Sequence, residues 1–111
     1  MSPQQELNDY LTRHVPLFRA MRARVEYADS NRLTLTAPLE PNVNDKGTAF
    51  GGSMAAIAAL TGWAITTLTL REHRETAEIV IVDSRLKFLR PVRETIVAEC
   101  IPPDATAVER F

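Results

Sequence analysis

Residues 44–52 read NDKGTAFGG and bring an amide, a carboxylate and two adjacent glycines close together in the chain. The segment that follows, residues 53–70, has no charged side chain. If it is a helix, Gly51 and Gly52 stand at its start, where the first N–H groups have no intrahelical partner and carry the positive end of the macrodipole. Because glycine has no side chain, a ligand oxygen could approach these donors, which would polarise a carbonyl or hold an oxyanion.

The glycine pair and the Asn-Asp pair of this loop also have a purely structural interpretation. Two glycines suit a tight loop that requires positive φ angles. Asn44 can hold a substrate carbonyl or a water molecule, and Asp45 can act as a base or orient that water. However, Asn and Asp also form Asx turns in loops that are rich in Pro, Asn and Gly, as this loop is. The residues alone leave both interpretations open.

The N-terminal part of the chain is predicted to form a helix and then a β-hairpin. Ser2 and Gln5 match a capping box, and apolar residues recur at helical spacing as far as Pro16, which predicts a helix over residues 2–15. Two alternating runs, residues 22–28 and 32–37, flank a turn-forming Asp-Ser-Asn and predict two antiparallel strands with one wet face. The side chains expected to point inward are those of Ala23, Val25, Tyr27, Leu33, Leu35 and Ala37.

The uncharged segment could be a membrane span or a core helix. Its length is close to the minimum for a span, but its alanines and threonines and Gly62 make it only weakly apolar. A span here would also separate the strands on its two sides. We therefore predict no membrane span, and instead a helix over about residues 52–70 that is apolar all round because protein surrounds it.

Two more strands are predicted after this helix, over residues 78–90 and 95–101, with a turn at Pro91 between them. Because neighbouring strands are joined by short turns, the sheet should be antiparallel and the class α+β. A chain of 111 residues is typical of one domain, so residues 1–111 should fold together.

The composition excludes several classes of function. A net charge of −1 gives no general attraction to nucleic acid or to an anionic membrane. Cys100 is the single cysteine, which excludes a disulfide framework or a cysteine zinc site within one chain, and His14 and His73 are far apart. We expect no metal and no cofactor. The polar N-terminus does not resemble a signal peptide, so a cytoplasmic location is expected.

The loop and the helix together resemble the hotdog-fold thioesterases. In that family an Asn and a Gly precede a Gly-Gly pair that opens the central helix, as Asn44 and Gly47 do here. The segment SRLKFLRPV at residues 84–92, followed by TIVAEC at residues 95–100, is similar to a strand pair of the same family. The combination is most similar to the thioesterase domain found at the C-terminus of some bacterial acetyltransferase-like proteins.

The resemblance implies a hotdog fold, in which an antiparallel sheet wraps around the central helix, and a homodimer or a dimer of dimers formed through sheet edges. It implies acyl-CoA or acyl-carrier-protein thioesters as substrates. In the family the thioester carbonyl accepts a hydrogen bond from the backbone at the helix N-terminus, which maps to Gly51 and Gly52, and the family's loop Asn maps to Asn44. Phe50 and Ser53, on either side of the glycines, are expected to contact the substrate.

The sequence departs from the family pattern where relatives carry polar groups. Phe50 replaces the usual His, and Ala59 stands where many members of one branch have a helix carboxylate. Asp45 is therefore our first candidate for the group that activates water, and Asp83 is the second. For Asp83 the alternative is an exposed position or an ion pair with Arg85.

Length is a further departure, because hotdog domains normally continue past the strand at residues 95–101. Either the C-terminal strands are missing from this sequence, or a sheet edge is left for a partner to cover. A group of cations could hold the phosphates of a CoA substrate or could lie on a solvated strand face. Its members are Arg85, Lys87, Arg90 and Arg93.

The sequence therefore predicts a hydrolase of acyl thioesters. The alternative is a non-catalytic module of the same fold that binds an acyl thioester or a fatty acid, which the missing helix carboxylate favours. A third possibility is an interaction domain in which the pocket is vestigial.

Overall fold

The computed structural model describes residues 2–29, 31–72 and 90–101. These residues form three α-helices, three strands and a short 3₁₀ turn. In chain order the elements are α1 (Pro3–His14), α2 (Pro16–Ala20), β1 (Arg24–Asp29), β2 (Arg32–Ala37), the 3₁₀ turn (Glu40–Asn42), α3 (Gly51–Glu72) and β3 (Ile96–Cys100).

Helix α1 begins at the predicted capping box. The Ser2 hydroxyl accepts a hydrogen bond from the Gln5 N–H at 3.2 Å, and the Gln5 side chain accepts one from the Ser2 N–H at 3.0 Å. Leu7 and Leu11 lie on one face of the helix and are fully buried. Pro16 then begins α2, so the predicted helix and its end are confirmed.

The described strands form one antiparallel sheet in the order β1–β2–β3. The central strand, β2, points Leu33, Leu35 and Ala37 into the core, and each of these side chains is 0 % exposed. Strict alternation along β2 therefore predicted its buried face correctly. Strand β3 pairs with β2 and confirms the predicted strand at residues 95–101 within one residue at each end.

The predicted inward direction of Tyr27 is wrong. The pairing of β1 with β2 shifts between Val25 and Tyr27, where β1 contains a bulge. A bulge inserts an extra residue, so the side chains beyond it change faces. Tyr27 is consequently 39 % exposed, whereas Ala28 packs against the core.

Helix α3 packs against β2 and β3 and supplies the long central element of the fold. Its buried face repeats at helical spacing through Ile57, Thr61, Ala64, Ile65 and Leu68. The helix begins one residue before the predicted range of 52–70 and ends two residues after it. The predicted α+β class, with an antiparallel sheet and a long central helix, is confirmed.

The opposite face of α3 is more open than the sequence predicted. Gly52, Ala55 and Ala58 are exposed, so the described elements cover only part of this helix. By length and composition α3 could cross a membrane, and 28 % of its most apolar 18-residue window is buried. A core helix of a soluble protein passes the same test, so this single helix is weak evidence for a span.

The strand predicted over residues 78–90 lies outside the described residues, apart from its last member. Arg90 is in a bend that precedes Pro91 and belongs to no strand. The predicted strand therefore does not extend to Arg90.

Candidate functional site

The loop between the 3₁₀ turn and α3 is folded into a compact turn. A bridge between Val43 and Ala49 closes its two ends. Inside it, the Asn44 N–H donates to the Thr48 carbonyl at 2.8 Å, and the Gly47 N–H donates to the Asn44 carbonyl at 3.3 Å. Gly47 has a φ of 78°, a conformation that favours glycine. Hydrogen bonds within the loop therefore stabilise the conformation that leads to Gly51.

The side chain of Asn44 helps to fold this loop. Its Oδ1 accepts hydrogen bonds from the Lys46 N–H at 2.8 Å and from the Thr48 N–H at 3.1 Å, and its Nδ2 donates to Thr48 Oγ1 at 2.8 Å. This is the Asx-turn interpretation that the sequence left open. The second N–H of Nδ2 has no acceptor among the described residues, so it is available to a substrate carbonyl or a water molecule.

Asp45 lies at the exposed tip of the same loop. Its carboxylate pairs with Lys46 at 3.4 Å, and the side chains of the two residues are 83 % and 78 % exposed. An exposed pair of this kind contributes about 0–1 kcal/mol and is readily exchanged for water. The carboxylate is therefore accessible to a water molecule, and the fold does not hold it in one position.

Three backbone hydrogen bonds fix the end of the loop where α3 begins. The Phe50 N–H donates to the Asn42 carbonyl at 2.7 Å, and the Ala49 N–H donates to the Val92 carbonyl at 2.7 Å. The Phe50 carbonyl in turn accepts from the Met54 N–H at 3.1 Å, which is the first bond of the helical ladder. The loop is thereby attached to the segment before β3.

Gly51 and Gly52 are the first two residues of α3, and their N–H groups have no acceptor among the described residues. Neither has a positive φ, so the turn that needs one is at Gly47 instead. Gly52 allows the Phe50 ring to pack closely, because a Cβ atom on Gly52 would lie 2.5 Å from the ring. The ring itself is exposed, since Phe50 is 54 % accessible.

An apolar groove of about 390 Å³ begins within one helical turn of these glycines. One wall is α3, from Met54 to Gly62, and the other is β3 together with Val92. With a rise of 1.5 Å per residue, the helical wall is about 12 Å long. The Val92 carbonyl also accepts the hydrogen bond from the Ala49 N–H, so Val92 both lines the groove and anchors the loop.

The cysteine lies in this groove but is not an activated nucleophile. Cys100 is half-buried and lines the wall that β3 provides. Partial burial raises the pKa of its thiol above the usual value, which disfavours the reactive thiolate at neutral pH. Within the described parts of the chain, no group of three or more His, Cys, Asp or Glu residues could hold a metal ion.

The remaining predicted residues are only partly placed. Ser53 is half-buried in the first turn of α3, next to the glycines. Arg90 and Arg93 are exposed in the segment that leads to β3. Asp83 and Arg85 lie outside the described residues, so their predicted roles and the cationic group as a whole stay predictions.

Asn42, which no sequence pattern indicated, is the most deeply buried polar residue of the site. It is 2 % exposed, whereas an Asn between Pro41 and Val43 in a polar loop is normally expected at the surface. Its side chain donates to the Met21 carbonyl, 21 residues away, and to the Pro38 carbonyl, and its own carbonyl accepts from the Phe50 N–H. No local pattern indicates these contacts.

The chain is similar to several proteins of known structure. A protein of unknown function from Chlorobaculum tepidum is 35 % identical, with a TM-score of 0.92 over 97 % of this chain and 66 % of that one. A "putative thioesterase" from Shewanella oneidensis is 26 % identical, with a TM-score of 0.87 over 97 % and 77 % of the two chains. A thioesterase from Haemophilus influenzae is 20 % identical, with a TM-score of 0.77 over 94 % and 71 %, and shows the fold alone.

These similarities confirm the predicted hotdog fold, with its antiparallel sheet and central helix. The chain spans 66 % of the length of the Chlorobaculum protein. The sequence also matches a thioesterase family over residues 4–111, which includes the loop, α3 and the described sheet. The chain therefore belongs to the family described as "Putative thioesterase (yiiD_Cterm)".

Proposed function

We propose that this protein hydrolyses acyl thioesters at the start of α3. One observation carries the proposal. The N–H groups of Gly51 and Gly52, which have no acceptor among the described residues, lie within one helical turn of an apolar groove. An acyl thioester has a carbonyl oxygen that such donors can polarise and a hydrocarbon chain that such a groove can bury. Membership of the thioesterase family supports the same reaction.

In the proposed reaction a water molecule attacks the thioester carbonyl carbon. The N–H groups of Gly51 and Gly52 stabilise the negative charge that develops on the carbonyl oxygen. Asp45 accepts a proton from the water, and Asn44 positions the water or the carbonyl. The tetrahedral intermediate then releases the thiolate, which takes up the proton, and the products are a carboxylic acid and a thiol.

The rest of the substrate is placed by the surroundings of the glycines. The acyl chain runs along α3 in the groove, and Phe50 and Ser53 border the thioester itself. Asp83, Arg85 and Arg90 contact the substrate, and its carrier is either CoA or an acyl-carrier protein. The expected assembly is a cytoplasmic homodimer, or a dimer of dimers, that forms through sheet edges.

The decisive experiment measures thiol release from a series of acyl-CoAs, from acetyl-CoA to palmitoyl-CoA. We expect turnover, with the value of kcat/KM rising with chain length until the groove is full. Matched acyl-carrier-protein thioesters, assayed in parallel, distinguish the two carriers. A protein that hydrolyses none of these thioesters would contradict the proposal.

A second candidate function is a non-catalytic module that binds an acyl thioester or a fatty acid. It is favoured by the absence of a carboxylate from residues 53–70, which include the part of α3 that borders the groove. In the same series of acyl-CoAs, this function predicts saturable binding by calorimetry without thiol release.

Gly62 should set the acyl-chain length that the groove accepts. This glycine lies within α3, where glycine is about 1 kcal/mol less favourable than alanine. It has no positive φ, and a Cβ atom on it would meet no described atom within 4 Å, so neither backbone conformation nor close packing requires a glycine. Because Gly62 lines the groove, a larger side chain would fill the space for the chain.

We expect Gly62→Leu to lower kcat/KM for long acyl-CoAs by about 10-fold or more, since one methylene in an apolar pocket changes selectivity by about that factor. The value for acetyl-CoA should stay within about twofold of the original. Gly62→Ala is the matched control and should show a smaller shift in the same direction. An equal loss for short and long substrates would show that the chain lies elsewhere.

A further inference from the structure

Asn42 joins three segments of the chain from a buried position. Its Nδ2 donates to the Met21 carbonyl at 3.0 Å and to the Pro38 carbonyl at 2.7 Å. Met21 caps the end of α2, and Pro38 directly follows β2. The amide therefore ties together the entry and the exit of the β1–β2 hairpin, and both of its N–H groups are used.

The backbone of Asn42 continues this connection to α3. Its N–H donates to the Leu39 carbonyl at 2.8 Å within the 3₁₀ turn, and its carbonyl accepts from the Phe50 N–H at 2.7 Å. Phe50 immediately precedes Gly51 and starts the helical ladder through Met54. A single backbone hydrogen bond thus separates the buried Asn42 from the first turn of α3.

The chemistry of the side chain makes asparagine difficult to replace here. A neutral amide supplies two donors from one nitrogen, whereas a carboxylate supplies none, a hydroxyl supplies one and leucine supplies none. The Oδ1 atom of Asn42 is buried and has no hydrogen-bond partner among the described residues. A buried acceptor without a partner destabilises a fold, so the two donor bonds, rather than Oδ1, account for the amide at this position.

We propose that Asn42 is a positioning residue for the donors at the start of α3. Through its anchored side chain it holds its own carbonyl against Phe50, and this sets the direction of the Gly51 and Gly52 N–H groups. The inference rests on the proposed hydrolysis of acyl thioesters at those donors. A misplacement of about 1 Å in a reacting geometry can cost about 100-fold in rate, so loss of the anchor should lower kcat more than it changes KM.

The test compares Asn42→Leu and Asn42→Asp with Asn8→Ala. Asn8 is a matched control because its Oδ1 also ties two segments, accepting the Val25 N–H at 2.9 Å, but it joins α1 to β1 away from the loop. We expect both Asn42 variants to lose about 100-fold in kcat with KM within about threefold. Asn8→Ala should retain both constants.

The Asn42→Asp variant provides a pH signature that a general loss of packing would not produce. Burial and the two facing carbonyl oxygens raise the pKa of the introduced carboxyl, because both disfavour its ionised form. The neutral form, which can donate one hydrogen bond, predominates below that raised pKa. The kcat of Asn42→Asp relative to the original protein should therefore rise as pH falls, whereas that of Asn42→Leu should stay constant.

Amide hydrogen exchange gives a measurement that does not depend on turnover. In both folded Asn42 variants, amide exchange over residues 50–54 should be faster than in Asn8→Ala. Exchange in α1 should be similar in the two Asn42 variants and in the original protein. Exchange over residues 50–54 that equals that of the original protein in both Asn42 variants would overturn the inference. If the original protein shows no turnover, the proposed function fails, and the exchange rates still decide the role of Asn42.

Discussion

Gly51→Pro should lower kcat for acyl thioester hydrolysis by about 100-fold to 1,000-fold, the usual cost of removing one oxyanion donor. Proline has no N–H, so this substitution deletes one of the two donors at the start of α3. Gly51 is the first residue of the helix, where proline is well tolerated because its φ suits the helix and no intrahelical bond is lost. Activity should therefore fall while α3 remains folded.

The matched control is Gly51→Ala, which adds a Cβ atom at the same position and keeps the N–H. Comparing the two variants separates the donor from the added volume. Circular dichroism and the denaturant midpoint should show that both variants retain the fold. Equal kcat values for Gly51→Pro and Gly51→Ala would show that this N–H does not bind the carbonyl oxygen.

Asp45→Asn should lower kcat by about 100-fold or more, because general-base catalysis contributes about that factor. The variant retains the shape of the side chain and removes the proton acceptor. Because Asp45 is exposed and its ion pair with Lys46 is a weak surface contact, the free energy of unfolding should change by less than about 1 kcal/mol. Steady-state kinetics with an acyl-CoA and a denaturation curve measure the two quantities.

Two controls accompany this variant. Glu40→Gln removes an exposed carboxylate from the neighbouring 3₁₀ turn, and Lys46→Gln removes the ion-pair partner of Asp45. Both should leave kcat within about threefold of the original value, since Glu40 is not the proposed base and the ion pair of Lys46 with Asp45 is a weak surface contact. If Asp45→Asn also keeps its full kcat, Asp45 is not the base, and Asp83→Asn becomes the next variant to measure.

Together, the two substitutions separate the halves of the proposed reaction. Gly51→Pro tests the group that polarises the carbonyl, and Asp45→Asn tests the group that activates water. The structure supports the first half more directly, because the N–H groups at the start of α3 are held in place through Phe50. Asp45 is at an exposed tip, so its contribution depends on where the bound substrate places the water.

Local sequence was sufficient wherever the decisive interactions span only a few residues. The capping box of α1 joins Ser2 to Gln5, and the helix begins there as predicted. The alternation along β2 follows from the geometry of a strand with one buried face, and it predicted Leu33 and Leu35 correctly. A long uncharged run predicted α3 to within two residues, and the glycines at its start marked the candidate site.

Local sequence failed where a residue's environment depends on a distant partner. The direction of Tyr27 depends on a bulge, which is defined only by the pairing of β1 with β2. The pattern also could not choose between a substrate contact and an Asx turn for Asn44, and the structure shows the Asx turn. The open face of α3 was missed because an apolar surface does not specify which element covers it.

The sequence by itself determined the α+β class, the family, the central helix and the position of the two donors, because each depends on local spacing or on a motif. Only the tertiary structure decided how the N–H groups of Gly51 and Gly52 are oriented. Asn42 reaches a carbonyl at Met21, 21 residues away, and its own carbonyl holds Phe50. Such contacts arise from chain segments that meet only on folding, and a buried amide is selected by the carbonyls around it rather than by its neighbours in sequence.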